Sequence, residues 1–99
     1  ADWQYVRDDD VTFLDARYTI KTFDDALIYV NNRGYRHGPK EVIERLKRGE
    51  SVEDTSYYFR CTPWFETSAP KYSWLNRTIF VASGARDPEA VRLAFYEVT

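Results

Sequence analysis

Four long stretches of this chain alternate their side chains with a two-residue period, and on none of them is either face plainly polar. In Val11 to Ile20, Phe13, Asp15, Arg17 and Thr19 share one face while Leu14, Ala16, Tyr18 and Ile20 share the other. In Ala26 to Arg33, Tyr29, Asn31 and Arg33 oppose Ile28, Val30 and Asn32. Between Tyr57 and Thr67, Tyr58, Arg60, Thr62 and Trp64 oppose Tyr57, Phe59 and Cys61. From Trp74 to Ser83, Leu75, Arg77, Ile79 and Val81 oppose Trp74, Asn76, Thr78 and Phe80. A sheet with one solvated face would carry a clean polar row. Mixed rows on both sides predict a sheet that curls, one face lining a lumen and the other covered by a helix or a further layer of strand.

The residues between these stretches set the connections. Lys21 to Asp25 reads as the short polar turn of a hairpin, and Gly34 to Gly38 reads as a loop. Pro39 suits a first helical position, where its missing N–H would be unsatisfied anyway, so a helix is predicted over Pro39 to Arg48. Glu41 lies near its positive end, Lys47 and Arg48 near its negative end, and Gly49 supplies the stop. Val42, Ile43 and Leu46 form a narrow apolar stripe along it. Pro63 removes a ladder donor, which predicts an edge, a bulge or a break in the third strand. Ser68 to Ser73 and Gly84 to Pro88 read as turns, and Glu89 to Val98 as a fifth strand. The expected fold class is mainly β: an antiparallel meander forming most of a small β-barrel, as one domain over residues 1–99, with one short α-helix inserted at about 39–48.

Closing a barrel takes about eight strands, and five are visible. The remainder must come from residues preceding Ala1 or from a second copy of the chain, so a homo-oligomer is one expected assembly. The lack of any methionine, together with the opening Ala1-Asp2-Trp3, favours the first route and an N-terminally truncated domain. The chain carries 3 Trp, 8 Tyr and 6 Phe, rings of large apolar area and few rotatable bonds that suit lined sheets and pockets. Other function classes lack their residues. A single cysteine, Cys61, excludes an internal disulfide, and a single histidine, His37, leaves a His/Cys zinc site without ligands; no metal and no cofactor is expected. A net charge of −2 gives no general attraction to nucleic acid or anionic lipid. No apolar run reaches the ~18–20 residues of a membrane span and no segment reads as a signal peptide, so a cytoplasmic location is expected.

Several runs carry a resemblance. They are Asp15-Ala16-Arg17-Tyr18, the segment Tyr29-Val30-Asn31-Asn32-Arg33-Gly34-Tyr35-Arg36-His37-Gly38-Pro39, and Tyr57-Tyr58-Phe59-Arg60-Cys61-Thr62-Pro63. With them go Phe65-Glu66-Thr67, Tyr72-Ser73-Trp74-Leu75-Asn76-Arg77 and the closing Tyr96-Glu97-Val98. In this order and spacing the chain resembles the bacterial and fungal family of domain of unknown function 3237 over nearly its whole length. The resemblance implies a small antiparallel β-barrel with an additional N-terminal segment of strands and glycine-rich turns. It implies no particular activity.

Arginine outnumbers lysine 10 to 4, and a planar guanidinium suits buried carboxylate pairing and ring stacking better than an ammonium. Asp15 and Arg17 project on one face. Arg60 and Glu66 share a face if Pro63 keeps phase, and Arg77 faces them if the turn pairs Thr67 with Trp74. Turned into a lumen, such cations would hold a carboxylate, enolate or phenolate. The candidate ligand-binding residues are therefore Arg17, Tyr29, Arg33, Arg60, Trp74, Asn76 and Arg77. Glu66, Asp15 and Tyr58 are the candidate catalytic residues, a carboxylate accepting a proton and a tyrosine donating one. The same charges also read as internal ion pairs that fix strand register, and Trp74 with Asn76 as a packed ring and a backbone-satisfying amide. His37, near Arg33 and Arg36, reads as an exposed loop residue or an anion contact, and Cys61 as a packing cysteine.

Three functions follow. The first is binding of a small hydrophobic or aromatic, oxygen-bearing ligand in the lumen. The second is a metal-independent enzyme performing proton transfer of isomerase, cyclase or hydratase type in the same pocket. The third is a structural, oligomeric barrel without a ligand.

Overall fold

A computed structural model describes residues 2–99, as six strands, one α-helix and two 3-10 segments. In chain order these are β1 (Asp2–Val6), β2 (Thr12–Lys21), β3 (Leu27–His37), α1 (Lys40–Lys47), a 3-10 turn at Asp54–Ser56, and β4 (Tyr58–Glu66). A longer 3-10 segment, Pro70–Arg77, then leads to β5 (Ile79–Arg86) and β6 (Val91–Val98). The strands form a single sheet in sequence order, every neighbouring pair antiparallel. This is the predicted mainly β meander with its single α-helix. The sheet is not closed among the described residues, with β1 and β6 as its two margins. Its radius of gyration, 15.1 Å, exceeds the ~13 Å of a compact chain this long.

The first two hairpins use the same turn. Arg7 N–H donates to Val11 O at 2.8 Å and Asp10 N–H to Arg7 O at 3.0 Å. Likewise Thr22 N–H donates to Ala26 O at 2.9 Å and Asp25 N–H to Thr22 O at 3.0 Å. The fourth residue of each turn is an aspartate in the left-handed region, Asp10 at φ 64° and Asp25 at φ 66°. A short polar side chain tolerates that conformation.

Asp24, at the tip of the second hairpin, ties it to the Pro70–Arg77 segment. Its carboxylate accepts from the Thr22 hydroxyl, from Lys71 Nζ at 3.1 Å and from the Tyr72 hydroxyl at 3.1 Å. The Thr22 bond, then the Lys71 contact, lowers its pKa from the usual 3.8 to about 2. A carboxyl whose pKa falls on folding stabilises the fold above the unfolded value and loses that contribution as pH drops through the folded one. The wild-type urea midpoint is therefore expected to fall between about pH 4 and pH 2, and Asp24→Asn to flatten that limb. Superimposable acid limbs for the two proteins would show that the tether carries no stability.

α1 ends in paired reverse bonds: Gly49 N–H donates to Leu46 O and Glu50 N–H to Arg45 O, each at 3.0 Å, with Gly49 at φ 78°. Glycine takes that left-handed position without penalty, as the sequence predicts. Leu46, with Val42 and Ile43 behind it, packs into a cluster with Tyr57, Phe59, Cys61 and Ala82. The cluster marks one face of the sheet. Val30, Asn32, Phe59, Cys61, Phe80 and Ala82 are buried on it, whereas Tyr29, Tyr35, Tyr58, Trp64 and Val81 are exposed on the other. Gln4 of β1 and Leu93 of β6 border one hollow with Phe59 and Cys61 of the middle strand β4. Residues of both margins can meet there only if the sheet curls around that face.

The structure departs from the sequence expectations in five places. β1 was not foreseen. The predicted loop Gly34 to Gly38 belongs in part to β3, which runs on to His37 against β4. The predicted strand beginning at Trp74 is 3-10 helix as far as Arg77, entered through Pro70 and closed by the Thr78 hydroxyl donating to Trp74 O at 2.6 Å. The outer face carries no helix or second layer among the described residues, because α1 packs into the concave side. Pro63 does not break β4, which stays paired to β3 through Asn32↔Pro63. On the β5 side the paired register is Arg60↔Ser83 and Cys61↔Ala82, and it stops short of the residue that lacks a donor. Among the described residues no helix is long and apolar enough to cross a membrane.

Candidate functional site

The concave face borders a half-enclosed hollow of about 390 Å³. Period-two alternation delivers its walls: Gln4 from β1, Leu14, Ala16 and Tyr18 from β2, Asn32 and Arg36 from β3, Phe59 and Cys61 from β4, Leu93 from β6. Two polar groups stand out in this apolar lining. Arg36 is only 8% exposed; its Nη2 donates to the neutral Gln4 Oε1 at 3.4 Å, and its guanidinium lies 5.6 Å over the Phe59 ring. Burial, and then the like charge of Arg86, push the guanidinium below its ordinary value. Asn32 is 5% exposed, and its Oδ1 accepts no hydrogen bond. Burial pushes the Cys61 thiol up, against a smaller opposing effect of the hydrogen bond it shares with Asn32. Burial likewise raises Tyr18, with Asp2 adding to it.

Of the sequence-derived candidates, Asp15 borders this hollow; the others lie elsewhere. Arg17, Tyr29, Arg33, Tyr58, Arg60 and Glu66 are on the outer, exposed face, not in the hollow as expected. Arg17 pairs with Asp15 at 3.3 Å and lies 5.8 Å over Trp3. Arg33, Tyr58 and Arg60 meet at an outer groove with Phe13 and Tyr35, where Arg60 donates to Phe59 O at 2.9 Å and lies 5.5 Å over Tyr58. Tyr29, Glu66 and Asn76 meet at a second outer depression beside Asn31 and Trp64. Tyr58 and Glu66 occupy opposite ends of β4, eight residues or ~26 Å apart, so the two cannot serve one small molecule.

Thr67 does not pair with Trp74. Its N–H donates to Asn76 Oδ1 and its carbonyl accepts from Asn76 Nδ2, each at 2.8 Å, so that amide is spent on backbone. Trp74 packs 5.9 Å from Phe80, and Arg77 donates to Ser73 O at 3.3 Å rather than facing Arg60 and Glu66. His37 stacks 4.9 Å from Tyr58.

The family model described as "Protein of unknown function (DUF3237)" matches residues 1–98. The chain belongs to DUF3237. It is 45% identical over 98 residues to a UPF0311 protein of Bradyrhizobium diazoefficiens, covering 99% of this chain and 64% of that one. A UPF0311 protein of Clostridium acetobutylicum is 48% identical over 98 residues, with 62% of its length covered. Among solved structures, a conserved protein of unknown function from Rhodopseudomonas palustris superimposes with a TM-score of 0.95 at 42% identity, over 99% of this chain and 66% of that one. A beta-barrel like protein from Acinetobacter baumannii gives 0.79 at 46% identity, over 98% of this chain and 62% of that one. The chain thus spans under two thirds of the length of these relatives.

Within this DUF3237 chain the residues that sequence reasoning missed are Arg36 and Asn32. Asn32 falls on the face of Ile28 and Val30, as the alternation predicts. Had the β3 alternation been carried through Gly34, Arg36 would have joined the same row. The signal was present and was cut by reading a glycine as the end of a strand.

Proposed function

We propose that the chain binds a small hydrophobic or aromatic, oxygen-bearing molecule in the hollow of its curled sheet. The observation that carries this reading is a half-enclosed space of about 390 Å³, walled by Leu14, Ala16, Tyr18, Phe59 and Leu93 and holding a few polar groups. Ligand pockets have this make-up, an apolar lining with a small number of orienting polar groups in ~300–1,000 Å³. The volume lies near the lower end of that range, which suits one or two fused rings better than a long acyl chain. The outer depressions are more polar and stand on the exposed convex side, so they compete poorly for an apolar guest.

Isothermal titration of the chain with 1-naphthol and 2-naphthoate is expected to give saturable one-site binding, with Kd on the order of 1–100 μM for at least one of them. Ala16→Leu, which adds a branched side chain to the wall of the hollow, should weaken that binding at least ~tenfold. Affinity unchanged by Ala16→Leu would move the ligand out of the hollow. Absence of saturation by either compound at millimolar concentration would remove the proposal.

A further inference from the structure

We infer that the lumen ligand is an organic anion, its charged oxygen seated on Arg36 and an O–H or N–H of the same molecule donated to Asn32 Oδ1. This rests on the lumen reading above and adds the chemical class. A cation taken out of water normally arrives with its counter-charge. Arg36 lacks one: among the described residues its hydrogen-bond partner is the neutral Gln4, and the charged group felt most strongly is Arg86, of like sign. Of the carboxylates bordering the hollow, Asp15 pairs with Arg17 at 3.3 Å, and neither Asp15 nor Asp2 is among the charges that act on Arg36. Arg36 is thus a buried guanidinium without a carboxylate partner among the described residues, set in the wall of a half-enclosed, largely apolar space, which is the condition for selecting a carboxylate, enolate or phenolate.

Asn32 supplies the complementary demand. Its buried Oδ1 has no donor, and a buried acceptor left unpaired destabilises the fold until something fills it. Asn32 and Arg36 stand on one face of β3 four residues apart, ~13 Å between Cα atoms. The reach of the arginine side chain shortens this to the span of a two-ring skeleton. The class selected is thus an aromatic acid with a hydroxyl or amine at its far end.

Calorimetric titration with 2-naphthoate, its neutral amide 2-naphthamide, and 6-hydroxy-2-naphthoate tests this on the chain as it stands. The acid is expected to bind at least ~tenfold tighter than the amide, and the hydroxy acid tighter still. Arg36→Met should erase the acid preference while raising the thermal midpoint, because an uncompensated buried charge is removed. An arginine serving the fold alone would instead lower that midpoint. Asn32→Ala should erase only the gain from the added hydroxyl. Equal affinities for acid and amide would overturn the anion assignment and leave the lumen reading standing, whereas no binding of any of the three, nor of 1-naphthol, would overturn both. The wild-type comparison of acid with amide decides the matter even if a variant fails to fold.

Discussion

Gly34→Ala is expected to cost about 3 kcal/mol or more, a large share of the total stability of a domain this size. Gly34 lies in the middle of β3, opposite Cys61 of β4. A Cβ there would sit 2.3 Å from the Arg60 carbonyl oxygen, 2.7 Å from Cys61 Sγ and 2.9 Å from Cys61 Cα. Two of those three atoms are backbone, so no rotamer change relieves the contact. The strands would have to part, and the parting breaks ladder bonds on both sides of the site. The variant's urea midpoint should drop accordingly. The double variant Gly34→Ala/Cys61→Ala should recover little, because it removes only the sulfur contact. A loss below about 1 kcal/mol, or full rescue by the second change, would mean that the strands slide past the clash.

Phe59→Ala should be comparably severe, at about 3–5 kcal/mol. Phe59 is 4% exposed and stands at the centre of the cluster that joins α1 to the sheet. Its ring also lies against Gly84, where a Cβ would come within 2.7 Å, and under the Arg36 guanidinium at 5.6 Å. Truncation therefore removes the apolar contacts of a whole ring, opens a cavity beneath the hollow, and strips Arg36 of its π face, itself worth about 1 kcal/mol. Phe59→Leu, which keeps part of the volume, should lose distinctly less. Equal losses for the two variants in urea titrations would mean that cavity size at this position does not set the cost.

The elements that could be read from the sequence are those whose ends are marked by chemistry. Pro39 directly precedes α1 and Gly49 directly follows its C-cap Arg48, because a missing N–H and a left-handed stop each act locally. The hairpin turn at 22–26 was visible for the same reason. Where a residue has two physical uses, the sequence does not choose between them. Gly34 read as a chain breaker, yet in β3 its value is the close approach of two strands. Trp74 to Thr78 alternates well enough for a strand, but Pro70 and the Asn76–Thr67 amide pair hold the segment in 3-10 turns. Asp2 to Val6 is too short to announce itself without its partner β2. The candidate residues Arg17, Tyr29, Arg33, Arg60 and Glu66 fall on the convex face by a single step of parity. Both faces of the sheet carry rings and arginines, so the alternation reveals which side chains travel together without revealing which set the curl encloses. That choice belongs to tertiary packing, where Phe59, Cys61, Ala82 and Leu46 outweigh the rings opposite.

The strict sequence order of the sheet has a kinetic consequence. Each strand seeks its partner immediately upstream, so the chain can zip its ladder one hairpin at a time, and most steps close only a short loop. The encounters of β3 with β4, across residues 38–57, and of β4 with β5, across residues 67–78, must span longer excursions, and α1 within the first shortens its path by coiling early. Such a topology keeps the mean separation of contacting residues low for an all-β protein, which is the property that speeds barrier crossing.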